Sequence, residues 1–325
     1  MLEHFYSRKE ILEKEIYRAI HQKKEPREVY GLISEFIELG GKRFRPLLLL
    51  STCSLVGGKI KDAMNAAVAI ELFHNFTLIH DDIEDNSIMR RGQKCLHIKY
   101  NVPLAINAGD GLFMLVWNEA TKIKKHNFAA QQILLKSFSS VLEGQAIELS
   151  WYMTNNWNLN ERDYFKMAGG KTASLISGAA ELGALLGDAT LKQRKLLAEF
   201  GYNLGLAFQI QDDILNLVGR EEKYKKEVGG DIKEGKRTLI ILHCLKNLSE
   251  NEKTKLKEIL AKNGNTEHEV KWVIEKVQQT GSIEYAKNVS KKMIKRCLKI
   301  LDNFEDNQDK QDLKELALFT INRET

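Results

Sequence analysis

Proline is nearly absent: the chain of 325 residues holds 3, and the last is Pro103. Proline is the strongest helix breaker, so nothing of that kind interrupts a helix anywhere beyond it. Cysteine is scarce as well. Cys53, Cys95, Cys244 and Cys297 lie far apart with no CxxC pair, which argues against a zinc site or a disulfide framework and predicts reduced thiols. No sign of charge is in large excess. Lys plus Arg is 49 and Asp plus Glu is 44, and the resulting +5 is too mild to argue for nucleic acid as a partner. Long apolar runs are missing too: the most apolar stretch, 47–56, is far too short to span a bilayer. Glu3, Arg8, Lys9 and Glu10 crowd the start and no apolar signal-peptide core follows. A cytoplasmic chain with no transmembrane segment is expected. No stretch alternates apolar and polar residues long enough to argue for a sheet.

What fills the chain instead is helical spacing. Residues 60–85 place Met64, Ala67, Val68, Leu72, Phe76 and Ile79 mostly three and four apart. The same spacing predicts helices over 8–21, 28–39, 45–56, 105–125, 129–151, 161–187 and 191–218, then over 236–247, 267–279, 284–304 and 310–321. Breaks fall at Gly40-Gly41, Gly57-Gly58, 86–92, 155–160, 220–230 and 262–266. None is a long Pro/Gly/Ser linker, so a single domain over 1–325 is expected. Several of these helices are apolar on most faces, as suits helices surrounded by other helices. The basic run at 291–296 reads as a solvated helix face.

Two of the apolar helices end in acid. Residues 81–85 read DDIED, and Asp81 and Asp85, four apart, share one helical face. A second cluster reads DDILN, with Asp212, Asp213 and Asn216. A charge on an apolar helix is expensive unless it is paired or binds metal. Hard oxygen ligands on rigid helices suit Mg2+, which keeps several waters and takes its remaining ligands from a substrate phosphate. A solvated acidic face is the plain alternative for one cluster, and it explains two such clusters poorly.

Cations accompany the acids. Lys42, Arg43 and Arg45 follow the Gly40-Gly41 pair and precede a helix beginning near Pro46, an arrangement that makes an anion site. Arg90 and Arg91 follow the first acidic cluster by one short loop. Lys171 and Thr172 sit at a break in a small-residue helix, and Lys226 and Lys236 follow the second cluster. A lone lysine is ordinarily a solvated surface group. Metal ions and cations together can neutralise a diphosphate.

The motifs GGKRFRP, ELFHNFTLIHDDIEDNSIMRRG, AINAGDGLF, GQAIEL, GGKTAS, FQIQDDILN and GGDIKEGKRT occur in this order across residues 40–238. In this the chain resembles the trans-isoprenyl diphosphate synthases, or polyprenyl synthetase family, and most of all the archaeal-type geranylgeranyl diphosphate synthases. The resemblance implies an all-α fold, a helical bundle around a deep central cavity, usually as a homodimer. It implies head-to-tail condensation of isopentenyl diphosphate with an allylic diphosphate, with Mg2+ as cofactor. Residue by residue, it assigns Asp81, Asp82, Asp85 and Asp212 to the metal motifs. It assigns Lys42, Arg45, His74 and Arg91 to isopentenyl diphosphate, and Arg90, Lys171, Thr172, Gln209, Lys226 and Lys236 to the allylic diphosphate. Phe208 falls near the reacting alkenes, so that Lys171, Thr172, Phe208 and Gln209 are the expected catalytic side chains. His74 also admits the plainer role of a core histidine.

Chain length follows from the same helix. Phe76 lies five residues before Asp81 and Phe73 eight, roughly 7.5 Å and 12 Å back along the axis. An aromatic five positions before a compact DDIED resembles the archaeal-type enzymes, where that ring limits elongation, and implies a C20 product. Phe113 and Trp117, on a helix expected to face this one, would narrow the channel and make C15 farnesyl diphosphate the alternative, with a longer-chain synthase as another. The pattern departs from the family at two places: Asn216 stands where an aspartate is usual, and Glu148 replaces a common aspartate. Asn216 keeps a non-catalytic subunit of a heteromeric synthase open as a reading from another class. Arg323 is the nearby candidate for a C-terminal basic residue that some members use. A class I terpene cyclase fits less well, because it needs no GGKRFRP site and FQIQDDILN is not its second metal motif. A helical scaffold would gain by replacing such carboxylates with apolar groups.

Overall fold

The computed structural model describes residues 2–218, 229–262 and 264–322, and among them regular structure is helical apart from one two-residue hairpin. In chain order the helices are α1 (Glu3–Ser7), α2 (Lys9–Ile20), α3 (Arg27–Glu38), α4 (Phe44–Leu55), α5 (Ile60–Glu84), α6 (Leu96–Lys99) and α7 (Val102–Ala120). They continue with α8 (Asn127–Met153), α9 (Glu161–Ala168), a π-helical turn (Gly169–Ala173), α10 (Ser174–Leu186) and α11 (Leu191–Val218). The last are α12 (Gly230–Lys233), α13 (Leu239–Lys246), α14 (Glu250–Ala261), α15 (Glu267–Gln279), α16 (Ser282–Leu301) and α17 (Gln308–Asn322).

The chain forms two compact units that interleave in sequence. One comprises Met1–Phe138, Gly178–Ala198 and Phe304–Leu313, and the other Ser139–Ser177, Glu199–Asn303 and Lys314–Thr325. In the first unit α5 packs against α2, α4 and α7, and α7 also packs against α3. Ala63, Ala66, Ala67, Ala69 and Leu72 are fully buried on α5, as are Leu47 to Leu50 on α4. Such helices have no polar face because neighbours cover most of their circumference. In the second unit α13 packs against α9, α15 and α16. Leu239, Ile240, Ile241, Val273, Val277 and Ala286 form its core with Ile210 and Ile214 of α11. On α16 Lys291, Lys292, Lys295 and Arg296 are exposed around buried Ile294, as expected of a solvated basic face.

Beyond the short helices α1, α6 and α12, four departures from the sequence expectation stand out. Glu250–Ala261 is a helix where apolar spacing predicts none, and it opens with a Ser249/Glu252 capping box. The helix expected over 161–187 is broken by the π turn. Met89-Arg90 pairs antiparallel with Gln93-Lys94, a hairpin too short for alternation to reveal. Its turn residues Arg91 and Gly92 have φ of 50° and 79°, the pattern that such tight two-residue connections require. Finally, α7 begins at Val102, three residues early, because the Asn101 side chain accepts from the Leu104 N–H and Pro103 suits a first turn.

Candidate active site

In the first unit the cations after Gly40-Gly41 separate into two roles. Arg43 is 2% exposed, and it is not the third anion-binding cation that its sequence position suggests. Its Nη1 donates to Glu71 Oε1 at 2.9 Å, its Nε to Glu13 Oε1 at 2.9 Å and its Nη2 to the Ile37 carbonyl at 3.1 Å. Burial opposes its charge, but Glu71 and Glu13 more than offset that and move its pKa up. Lys42 is exposed and Arg45 partly so.

Arg45 Nη1 lies 3.2 Å from His74 Nε2. Burial, then Arg45, Arg91, Arg90 and Arg43, push the imidazole well below the usual histidine range. A neutral ring therefore accepts from Arg45. Arg91 reaches the neighbouring residue, donating to Asn75 Oδ1 at 3.4 Å, while Asn75 Nδ2 donates to Glu71 Oε1 at 3.0 Å. Arg45, His74 and Arg91 are thus brought together, tied to the buried Arg43–Glu71 pair.

The first acidic cluster also divides. Asp82 is 1% exposed, and its Oδ1 accepts from Arg90 Nε at 2.8 Å and Nη2 at 2.5 Å. Burial works against the Arg90 charge, and Asp82 and Asp81 outweigh it. Asp81 and Asp85, a turn apart, stay partly exposed. Asp82 is therefore turned inward onto Arg90, and the outward carboxylates are Asp81 and Asp85. Arg90 and Arg91 stand side by side on the hairpin, one joined to the carboxylates and the other to the His74 group.

Before Asp81, α5 and α7 share a stack of rings. Phe76 is partly exposed, with its ring 5.1 Å from Phe113 and 4.6 Å from His80. Phe73, fully buried, stacks on Phe138 at 3.7 Å and 10°, and Trp117 stands edge-on to Phe113 and Phe138 at 6.3 and 6.2 Å. The expected facing helix for Phe113 and Trp117 is α7.

In the second unit Phe208, Gln209 and Asp212 are partly exposed on α11 among buried Ala207, Ile210, Gln211 and Asp213. Thr172 Oγ1 donates to Gln209 Oε1 at 2.7 Å, and Gln209 Nε2 donates to Asp213 Oδ1 at 2.9 Å. Tyr164 Oη completes the chain by donating to Asp213 Oδ2 at 2.8 Å. Burial and then Asp231 raise the Asp213 carboxyl well above its usual range, against these two donors. The amide orientation of Gln209 is fixed by this chain.

Lys171, on the π turn, donates to Glu148 Oε2, and Tyr152 Oη donates to Glu148 Oε1 at 2.9 Å. Burial alone would raise the Glu148 carboxyl, but Lys171 and Lys236 hold it below the ordinary value. Lys236 pairs with Asp231 at 3.1 Å and Glu234 at 2.6 Å; burial lowers its pKa, and these carboxylates with Glu148 raise it well above the ordinary lysine range. The π turn approaches α8 closely: a Cβ on Gly144 would stand 2.1 Å from the Lys171 amide nitrogen. Asn216 spends its side chain on the backbone, its Oδ1 accepting from the Asp231 N–H at 3.0 Å. The missing aspartate therefore removes no outward carboxylate, and Asp212 remains. Lys226 and Arg323 lie outside the described residues.

The spacing of motifs did not reveal Tyr164, Tyr152, Asp231, Asn75 or Glu71. Asp231 carried a signal in its place in GGDIKEGK beside Lys236, and Glu71 and Asn75 in theirs within ELFHNF before the first acidic cluster. Among the described residues, His4, Asp309 and Asp312 also bring metal-type ligand atoms within 4.8 Å of one another. Arg8 Nη1 already stands 2.6 Å from Asp309 Oδ1, so the group reads as a charge network. No helix among the described residues is long and apolar enough to cross a membrane.

Residues 26–277 match the family model described as Polyprenyl synthetase. A relative from Methanocaldococcus jannaschii, named a short chain isoprenyl diphosphate synthase, is 40% identical over 80% of this chain and 79% of its own. The crystal structure of a geranylgeranyl pyrophosphate synthetase from Pyrococcus horikoshii superposes with a TM-score of 0.92 at 33% identity, covering 98% of this chain and 97% of that one. That of a polyprenyl synthase from Caulobacter crescentus, complexed with calcium and isoprenyl diphosphate, gives 0.91 at 27% identity over 100% of this chain and 98% of that one.

Proposed function

The chain belongs to the polyprenyl synthetase family, and we propose that it condenses isopentenyl diphosphate with allylic diphosphates to give C20 geranylgeranyl diphosphate as its main product. The observation that carries this is the division at the hairpin. Arg90 binds the Asp82 carboxylate and is held charged by Asp82 and Asp81, and Arg91 joins Asn75 beside the Arg45–His74 pair. One group suits a diphosphate held through metal ions, and the other a diphosphate held directly by cations. A one-substrate enzyme needs only the first.

The donors Asp81, Asp85 and Asp212 are hard oxygens, partly exposed toward the ends of largely apolar helices, and they fit Mg2+. When bound, a divalent cation would neutralise charge growing on the departing allylic diphosphate. The chain's own groups do the rest. Arg90, Lys171, Lys226 and Lys236 are the cations proposed for the allylic diphosphate. Arg45, His74, Arg91 and Lys42 hold the second diphosphate. The Thr172 hydroxyl donates its hydrogen bond to Gln209, so its oxygen lone pairs are left to face a carbocation. Phe208 offers its ring beside Gln209, and apolar walls keep out the water that would quench the cation. The homoallylic alkene attacks, and the released diphosphate takes the proton.

The Phe76 ring supports C20 as the stop, and Phe113, 5.1 Å away, favours C15 as the second reading. The two units are read as one catalytic domain in a cytoplasmic homodimer. Exposed Met114 and Ile106 on α7, and Phe128 and Leu135 on α8, support a second copy as the cover of that face. Purified protein supplied with isopentenyl diphosphate, farnesyl diphosphate and Mg2+ should yield a C20 diphosphate by mass analysis. Absence of any condensed product would refute the reading.

A further inference from the structure

The second unit carries a cavity of about 510 Å3 that none of the residues proposed for condensation lines. Its volume falls within the range of small-molecule sites, about 300–1,000 Å3. The apolar wall is Trp157, Leu159, Leu242 and Leu245, and the rim carries Arg162, Lys246, Lys253 and Lys257. The wall is fixed before any ligand arrives. Trp157 Nε1 donates to Asn155 Oδ1 at 2.8 Å, and the Arg237 guanidinium lies 4.2 Å over the Trp157 ring. Arg237 is itself held by the carbonyls of Asn156 and Gly235.

The charges around the rim are out of balance. Glu161 is the acid in the lining, and its Oε2 already accepts from Tyr285 Oη at 2.6 Å. Lys253 pairs with Glu250 at 2.7 Å, whereas Arg162, Lys246 and Lys257 hold no ion pair among the described residues. A basic helix face offers cations, and an apolar hollow offers a floor. Here both occur together, and their complement is an anion attached to something greasy.

We propose that this cavity binds a phosphate-bearing amphiphile, its chain on Trp157 and the leucines and its phosphate on Lys253, Lys257 and their neighbours. Such a molecule comes either free in solution or as the headgroup of a bilayer lipid. The site uses none of the metal-motif residues, so it stands or falls apart from the condensation reading. Trp157 reports on it directly.

The test adds dodecyl phosphate, below its micelle concentration, to protein whose diphosphate sites are filled with inorganic diphosphate and Mg2+. A saturable change in tryptophan emission is expected. It should vanish in Trp157→Phe, and the double variant Lys253→Glu/Lys257→Glu should bind about tenfold more weakly or worse. The uncharged dodecyl maltoside should give no saturable change. A parallel arm measures co-sedimentation with phosphatidic acid vesicles. Binding to vesicles alone, lost in the double variant, assigns the lipid headgroup as the source. Binding of dodecyl phosphate assigns the free amphiphile. The double variant should keep its circular dichroism and its condensation rate. No saturable binding in either arm, or binding that charge reversal leaves unchanged, overturns the proposal.

Discussion

At the scale of single residues, identical side chains two positions apart have opposite fates. In KRFR, Arg43 takes a left-handed backbone, φ 50°, just before α4 and turns inward to Glu13 and Glu71, whereas Arg45 meets His74. Sequence spacing could place cations beside a helix start, but the partners of Arg43 lie on α2 and α5, out of reach of local pattern. Removing one partner of a buried ion network leaves the others unpaired, which costs about 3–5 kcal/mol. Arg43→Ala should therefore lower the unfolding free energy by about that amount in urea, while Lys42→Ala changes it little; equal effects would contradict the buried-strut role. His74 adds a pH signature. Its pKa is depressed in the fold, so below about pH 6.5 the unfolded chain binds more protons than the native one, and stability falls as pH drops through that value. The loss in unfolding free energy between pH 7.5 and 5.5 should be smaller in His74→Gln than in wild type. An identical pH dependence in both would show that His74 is not held neutral.

At the scale of elements, periodicity located the long helices because burial repeats every three to four residues, and α5, α11 and α15 appear at almost the expected bounds. It missed α14, whose first turns are nearly all charged and whose signal was the Ser249–Glu252 cap. It gave Lys171 and Thr172 a break but not the π turn, which depends on how closely α8 approaches through Gly144. Asp81, Asp85 and Asp212 were legible because carboxylates on apolar helices are costly without a purpose. The inward turn of Asp82 was not, since Arg90 reaches it from the hairpin. The ring stack between α5 and α7 makes a graded prediction. Of the two rings on α5, Phe76 is the partly exposed one, with fully buried Phe73 behind it against Phe138. Phe76→Ala opens volume beneath a growing chain. Its main product should lengthen by one or more isoprene units. Unchanged product lengths by mass analysis would mean that Phe76 does not floor the channel.

At the scale of the whole molecule, the two compact units are each assembled from separated stretches of sequence. The apolar surface on α7 and α8 sets the assembly prediction: light scattering should give twice the 37.2 kDa chain mass, and Met114→Lys with Leu135→Lys should shift it toward the monomer. A wild-type monomer at micromolar concentration would remove the dimer. The central claim is that both acidic motifs serve one divalent-metal-dependent condensation. It is tested most directly by measuring condensation of isopentenyl and farnesyl diphosphates by wild type, Asp81→Ala and Asp212→Ala, each with Mg2+ and with excess EDTA. No wild-type turnover is expected in EDTA, and each variant should lose about 10³-fold or more with its helical circular dichroism intact. Full activity of either variant, or wild-type turnover in EDTA, would contradict it.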